Sequence, residues 1–159
     1  MKAIILAGGE GTRLRPLTLT TPKALIDING LTLTEHVIGI LRKFEINEIT
    51  LTVGYLSEKV IEYFKKKDVG VKINFFVEEE PLGTAGFLKK IPRINGDFVV
   101  VNGDNLFDLD FSKMLEQHKR LGVVGTIGLK KVENPRSYGV VLLESDKITK
   151  FVEKSSNPP

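Results

Sequence analysis

With 159 residues, 23 basic and 20 acidic side chains and no cysteine, the chain has room for one domain with its own core, and it excludes a disulfide framework or a thiolate metal site. The net charge of +3 is too small and too evenly spread to argue for nucleic acid or a membrane surface as partner, and the longest apolar runs are strand-sized, too short to cross a bilayer. The N-terminus enters a strand at once, without a secretory signal, so a cytoplasmic location is expected; self-association into a homo-oligomer is left open.

Met1-Lys2-Ala3-Ile4-Ile5 opens the chain with an apolar run that reads as a buried strand. It gives way to Leu6-Ala7-Gly8-Gly9-Glu10-Gly11-Thr12-Arg13-Leu14-Arg15-Pro16-Leu17. Gly8, Gly9 and Gly11 can take positive φ and lack a Cβ, so backbone N–H groups can curl around an anion at close range. Arg13 and Arg15 add planar forks suited to phosphate oxygens. Two glycines after a strand often mean only a turn, but two arginines and a threonine inside this turn favour a loop that cradles a polyphosphate. Two familiar phosphate loops are excluded. A P-loop needs Gly-Lys-Ser/Thr where this chain has Gly11-Thr12-Arg13, and a dinucleotide fingerprint needs a third glycine where Leu14 stands. The threonine-rich residues 18–22 should be mobile or ordered by a ligand, and Pro22 stiffens the backbone that delivers Lys23, aiming its amine.

Residues 35–45 predict a helix with Val37, Ile38, Leu41 and Phe44 on one face, and residues 49–53 a strand. Ser57 is placed as a helix cap with Glu58 in the first turn, Val60, Ile61 and Phe64 inward, and Lys65 to Lys67 as a solvated helix end. Residues 71–77 predict a third strand, 83–90 a short helix, and the continuously apolar 98–101 a central parallel strand. Ser112 is placed as the cap of a helix carrying Met114, Leu115, His118 and Leu121, and both His36 and His118 read as packing residues. Residues 123–129 predict a further strand, and 140–143 with 148–152 a hairpin closed through Ser145-Asp146-Lys147. The alternation makes this an α/β protein with a mostly parallel sheet covered on both faces. Ligands then gather at the C-terminal ends of the strands, where the glycine loop, residues 78–81 and Asp104 all fall.

The glycine loop, Pro22-Lys23-Ala24-Leu25, Glu80-Pro81-Leu82-Gly83-Thr84-Ala85-Gly86, Asn102-Gly103-Asp104, Tyr138-Gly139-Val140 and Phe151-Val152-Glu153-Lys154 together closely resemble the signature of the sugar-1-phosphate nucleotidyltransferases. The resemblance covers nearly the whole chain in the family's order, with spelling nearest to the mannose-1-phosphate guanylyltransferases and the glucose-1-phosphate thymidylyltransferases. It implies a Rossmann-like three-layer α/β sandwich with a mixed, mostly parallel central sheet, of the nucleotide-diphospho-sugar transferase type. Residues 1–159 would form one nucleotidyltransferase domain. Family members normally continue through more strands and a second metal-binding aspartate, so the chain looks truncated at its C-terminus relative to them, and turnover by this length of chain is left open.

The resemblance also implies a reaction. A sugar 1-phosphate oxygen attacks the α-phosphorus of a nucleoside triphosphate and pyrophosphate leaves, so the protein must hold two anions in line and neutralise moving charge. Leu6, Ala7, Gly8, Gly9, Gly11, Thr12 and Arg13 would bind the nucleotide, with Glu78, Pro81, Gly83, Thr84 and Gly103. Arg13 would steady the departing β- and γ-phosphates and Lys23 the α-phosphate, while Lys23, Gly139, Glu153 and Lys154 would hold the sugar phosphate. Asp104 ends an apolar strand, where a turn cap is its alternative role. The resemblance makes it a ligand of Mg2+, which takes hard oxygen donors and bridges phosphates.

Base choice rests on one position. Members that use uracil or thymine place glutamine three residues before the proline of the Pro-Leu-Gly-Thr-Ala stretch, and this chain has Glu78 there. An ionised carboxylate only accepts, which matches the N1–H and N2–H2 donors of guanine. The expected nucleotide is therefore GTP, and the sugar mannose 1-phosphate or a related manno-heptose; the alternative leaves Glu78 solvated and the base read by backbone groups. Two rival expectations stand beside it: a glucose-1-phosphate thymidylyl- or uridylyltransferase, and a non-catalytic nucleotide-binding or regulatory subunit.

Overall fold

The structure is a computed structural model, and it describes residues 1–80, 82–83, 85–91 and 94–153, the side chains of Ser137 and Glu153 excepted. Pro81, Thr84 and Lys154 lie outside the described residues. Contacts divide the chain into two units, one from Met1 to Ser112 and one from Lys113 onward.

The first unit is built on β1 (Lys2–Leu6), which supplies Ala3, Ile4 and Ile5 to the core with essentially no exposure. Burying the two isoleucines contributes roughly 1.5–3 kcal/mol each, enough to seat this strand in the interior. It is flanked by β4 (Glu48–Val53), with β5 (Lys72–Val77) beyond, and on its other side by β6 (Phe98–Asn102), giving the order β5-β4-β1-β6. All three ladders are parallel, pairing Leu6 with Thr52 and with Asn102, and Val53 with Val77. Parallel neighbours need crossovers, and α1 (Leu33–Arg42) and α2 (Ser57–Lys66) lie in the connections from β1 to β4 and from β4 to β5. A short antiparallel pair, β2 (Asp27–Ile28) with β3 (Leu31–Thr32), precedes α1. The chain thus runs outward from β1 on one side, then crosses back to place β6 on the other. That reversal puts a topological switch point between the C-terminal ends of β1 and β6, where open α/β sheets form their ligand crevice.

Several local expectations are corrected. α1 starts two residues early because Thr32 and Glu35 form a reciprocal capping box: the Thr32 amide donates to Glu35 Oε2 at 2.7 Å and the Glu35 amide to Thr32 Oγ1 at 3.2 Å. Ser57 is the first residue of α2 and caps nothing; Leu56 precedes it with φ 50°. The lysine run is not merely a solvated end, since Lys67 Nζ reaches the buried Glu35 carboxylate at 2.7 Å. The helix expected over 83–90 shrinks to a 3-10 turn at Gly86–Lys89, because Gly83 sits at φ 67°, outside helical geometry. Among the described residues β6 is the outer strand of its sheet rather than a central one, with Phe98 and Val100 exposed. Both histidines are hydrogen-bonded and not simply packed, His36 Nε2 to the Ile28 carbonyl at 2.8 Å and His118 Nδ1 to Thr126 Oγ1 at 3.0 Å.

Helix α3 (Phe111–Leu121) begins with Phe111, which is buried edge-on against Phe44 and Phe107 at 5.4 and 5.5 Å. Asp110, not Ser112, accepts at its start, taking the Ser112 amide at 3.0 Å. In the second unit the strand expected over 123–129 is irregular, with Val124 fully exposed. A strand needs a partner for its backbone groups, and Gly125 and Gly128 weaken this run further. The hairpin is present: β7 (Gly139–Glu144) pairs antiparallel with β8 (Lys147–Glu153) around Ser145 at φ 56°, with an irregularity between Leu142 and Leu143. No helix among the described residues is long and apolar enough to cross a membrane.

Candidate active site

β1 delivers the glycine loop to the switch point. Ala7 continues the ladder by donating to the Thr52 carbonyl at 2.9 Å, and then the backbone leaves the sheet. From Gly8 through Arg13, six consecutive amides donate to no acceptor among the described residues. Gly8 and Gly11 are half-buried and the four residues at 9, 10, 12 and 13 exposed, so the run leaves a set of accessible backbone donors at the end of β1 that suits an anion. The glycines serve different ends. Of the three, which can all take positive φ, only Gly11 does, at φ 63°. A Cβ on Gly8 would meet the Gly54 amide nitrogen at 3.3 Å, so Gly8 is there for close approach; Gly9 has open space on its Cβ side.

β6 delivers the carboxylate. Gly103 donates to the Leu6 carbonyl at 2.8 Å, and a Cβ there would stand 2.9 Å from that oxygen, so only glycine lets the two strand ends meet this closely. Asp104 follows, partly exposed, and its Oδ2 accepts from Lys23 Nζ. Lys23 opens a 3-10 turn (Lys23–Leu25) directly after the buried Pro22, and its side chain also packs 3.2 Å from where a Gly11 Cβ would be. The loop after β1, the lysine and the aspartate are therefore one cluster. Arg13, two residues past Gly11, is exposed and makes no ion pair among the described residues, whereas Arg15 is paired with Glu10 at 3.0 Å.

β5 delivers the third wall. The Glu78 amide donates to the Val53 carbonyl at 2.7 Å, and its Oε2 lies 3.6 Å from the Cβ position of Gly8. Of the three successive glutamates, Glu78 is the one turned to the loop; Glu80 pairs with Lys90 at 3.1 Å. A Cβ on Gly83 would meet nothing within 4 Å among the described residues, while the Pro81 and Thr84 expectations fall outside them.

The family model described as "Nucleotidyl transferase" matches residues 2–159. The chain belongs to the nucleotidyl transferase family. Its curated relatives include the mannose-1-phosphate guanylyltransferase catalytic subunit beta of Xenopus tropicalis, 43% identical over 162 residues, and the mannose-1-phosphate guanyltransferase of Saccharomyces cerevisiae, 42% identical over 163. Each alignment takes in 97% of this chain and 45% of the relative, so the chain spans about half the length of the curated relatives it matches. Among solved structures, a putative glucose-1-phosphate thymidylyltransferase from Bacillus anthracis is similar at TM-score 0.81 and 28% identity, over 99% of this chain and 66% of that one. HddC from Yersinia pseudotuberculosis complexed with GMP-PN is similar at TM-score 0.72 and 28% identity, over 96% and 69%.

In this nucleotidyl transferase chain the residues expected at the sugar phosphate are divided, Lys23 belonging to the first unit and Gly139, Glu153 and Lys154 to the second. Gly139 and Glu153 are direct cross-strand partners at the open end of the β7–β8 hairpin, and Lys154 lies outside the described residues. The transferase loop is also held by residues that the sequence does not advertise. Residues 18–22 are fastened by the protein itself. Thr18 is buried and donates to the Gly11 carbonyl at 3.0 Å, Tyr55 Oη donates to the Leu19 carbonyl at 3.3 Å, and Lys59 Nζ to the Thr20 carbonyl at 2.6 Å. No pattern signals this, because the flanking Leu17 and Leu19 are exposed while the threonine between them is buried.

Proposed function

We propose that this crevice binds a nucleoside triphosphate and a sugar 1-phosphate in the cytoplasm and joins them, with GTP and mannose 1-phosphate as the preferred pair. A sugar-phosphate oxygen forms the new bond to the α-phosphorus, the bridge between the α- and β-phosphates breaks, and its electrons leave with pyrophosphate. The observation that carries this reading is the run of free amides at the switch point, with Lys23 and Asp104 paired beside it.

Such a reaction asks the protein mainly for placement and charge. The amides of residues 8–13 receive phosphate oxygens, Arg13 takes up charge on the departing phosphates, and Lys23 takes up charge at the α-phosphate. Asp104 is a single hard-oxygen donor paired with the Lys23 ammonium, and no group of three or more His, Cys, Asp or Glu suited to a metal occurs among the described residues. That donor set fits Mg2+, which is held by one or two carboxylates and completed by substrate phosphates. When bound, Mg2+ supplies charge neutralisation across the phosphates. Glu78 accepts from the N1–H and N2–H2 of guanine. Support for that choice comes from the guanylyltransferase relatives and from the GMP-PN complex of the HddC structure.

The test is a panel of GTP, dTTP and UTP against mannose 1-phosphate and glucose 1-phosphate, read by pyrophosphate release, with nucleotide affinity measured alongside. GTP with mannose 1-phosphate should turn over fastest, and Lys23→Met and Asp104→Asn should each lower the rate by 100-fold or more, on the order of a lost transition-state contact. A fastest pair of dTTP or UTP with glucose 1-phosphate defeats the substrate assignment. Saturable nucleotide binding with no pyrophosphate supports a binding subunit, and absence of nucleotide binding defeats the whole reading.

A further inference from the structure

Gly11 is held in a way that the anion loop alone does not explain. Its carbonyl oxygen receives two donors, the Leu14 amide at 2.9 Å and the Thr18 hydroxyl at 3.0 Å. Thr18 is 1% exposed, and its methyl stands 3.0 Å from where a Gly11 Cβ would be. The threonine is therefore fitted to the bare face of the glycine as well as to its oxygen.

The consequence lies on the other side of the same peptide. The Gly11–Thr12 bond is trans, and in a planar trans peptide the N–H points opposite to the C=O. Holding the Gly11 oxygen inward therefore aims the Thr12 N–H outward, and that amide has no acceptor among the described residues. Glycine offers little resistance to rotation, so a single bond to Leu14 would leave this peptide plane free to rock. The second bond removes that freedom before a ligand arrives, and preorganisation of this kind is gained as affinity.

We infer that Thr18 is a positioning residue for the triphosphate: its buried hydroxyl fixes the Gly11–Thr12 peptide so that the Thr12 amide is presented to phosphate, without touching the ligand. The inference rests on the proposed function and deepens it, since it assigns to a residue outside the crevice the orientation of a donor inside it.

Two variants separate this role from simple packing. Thr18→Val keeps the shape and removes the hydroxyl; Thr18→Ser keeps the hydroxyl and removes the methyl. Calorimetry with GTP and with inorganic tripolyphosphate, both with Mg2+, should show Thr18→Val weakened about 3- to 10-fold, the range for one hydrogen bond, and Thr18→Ser within about 2-fold of the parent. Melting temperatures should rank the other way, with the serine variant lower because it leaves a void. Affinity that follows melting temperature, or a valine variant that binds like the parent, overturns the inference. If the valine variant does not fold, Thr18→Ala against Thr18→Ser gives the same contrast. A parent chain that binds neither GTP nor tripolyphosphate defeats the proposed function itself, and this inference with it, whereas a parent that binds both isolates Thr18 as the point at issue.

Discussion

A methyl group decides whether β1 and β6 can converge. Gly103 brings its Cα against the Leu6 carbonyl, and the 2.9 Å left for a Cβ is shorter than real side chains tolerate against backbone. Gly103→Ala should force the strand ends apart at the crevice, costing about 1–3 kcal/mol of stability by overpacking and weakening GTP binding with it. Thermal melting and calorimetry on the same preparation check this, and an alanine variant with both unchanged would refute it. Glu78 is a question of chemistry rather than space. Glu78→Gln exchanges an acceptor-only group for one with a donor, so the proposed preference for GTP over dTTP and UTP should fall by about 10-fold or more in kcat/KM. An unchanged preference would leave Glu78 without a role in reading the base. At this scale the sequence was informative about residue type and weak on division of labour. Three glycines, a lysine and an aspartate could be marked, but which glycine needs positive φ and which needs bare space depends on what lies across the sheet. Thr18 could not be marked at all, because its contact with Gly11 arises only once the loop folds.

The two helices of the first unit are tied by one carboxylate. Burial pushes the Glu35 carboxyl up, but the Lys67 ammonium, the Thr32 backbone and side chain, and the Tyr63 hydroxyl together outweigh it and bring the group from 4.5 down to about 2. Tyr63 Oη donates to it at 2.8 Å, and the same pairing raises Lys67 above its ordinary value. A depressed carboxyl contributes stability that is fully present above its unfolded value and disappears as pH falls through its folded one. Here the window runs from about pH 4.5 down to about 2, and the stability at stake is on the order of 3 kcal/mol. Denaturant titrations across that window should show the parent losing this increment and Glu35→Gln losing little of it; parallel curves would sink the prediction. The strands of the first unit were readable because continuous apolar runs need only their own residues to announce them. The start of α1 was written in Thr32-x-x-Glu35 but hidden by the later apolar face. Lys67 reads as solvated until a helix 32 residues earlier presents a buried acid to it. The apolar run at 123–129 is the converse case, a strand pattern with no described neighbour to pair with.

Across the first unit, strand order explains why residues 80 or more positions apart cooperate. β1 and β6 are adjacent because the chain reverses direction between them, so the loop leaving one strand and the aspartate leaving the other meet at a single mouth. Parallel packing could be anticipated from alternation, while the order β5-β4-β1-β6 could not, since it is set by how the crossovers pack. The Lys23–Asp104 pair then has a thermodynamic corollary. A lysine tethered in the same unit faces its carboxylate at an effective concentration on the order of mM, so a divalent ion at Asp104, as proposed, would enter as a competitor. A triphosphate that draws the ammonium toward itself relieves that competition, and linkage requires metal and nucleotide to tighten each other by an equal factor. Calorimetry should find Mg2+ alone binding the chain weakly, GTP increasing its uptake beyond what GTP takes up in solution, and Lys23→Met raising the affinity for Mg2+ alone. Metal affinity indifferent to nucleotide would break the linkage. Where it holds, the chain would take up metal and nucleotide together more readily than either one alone.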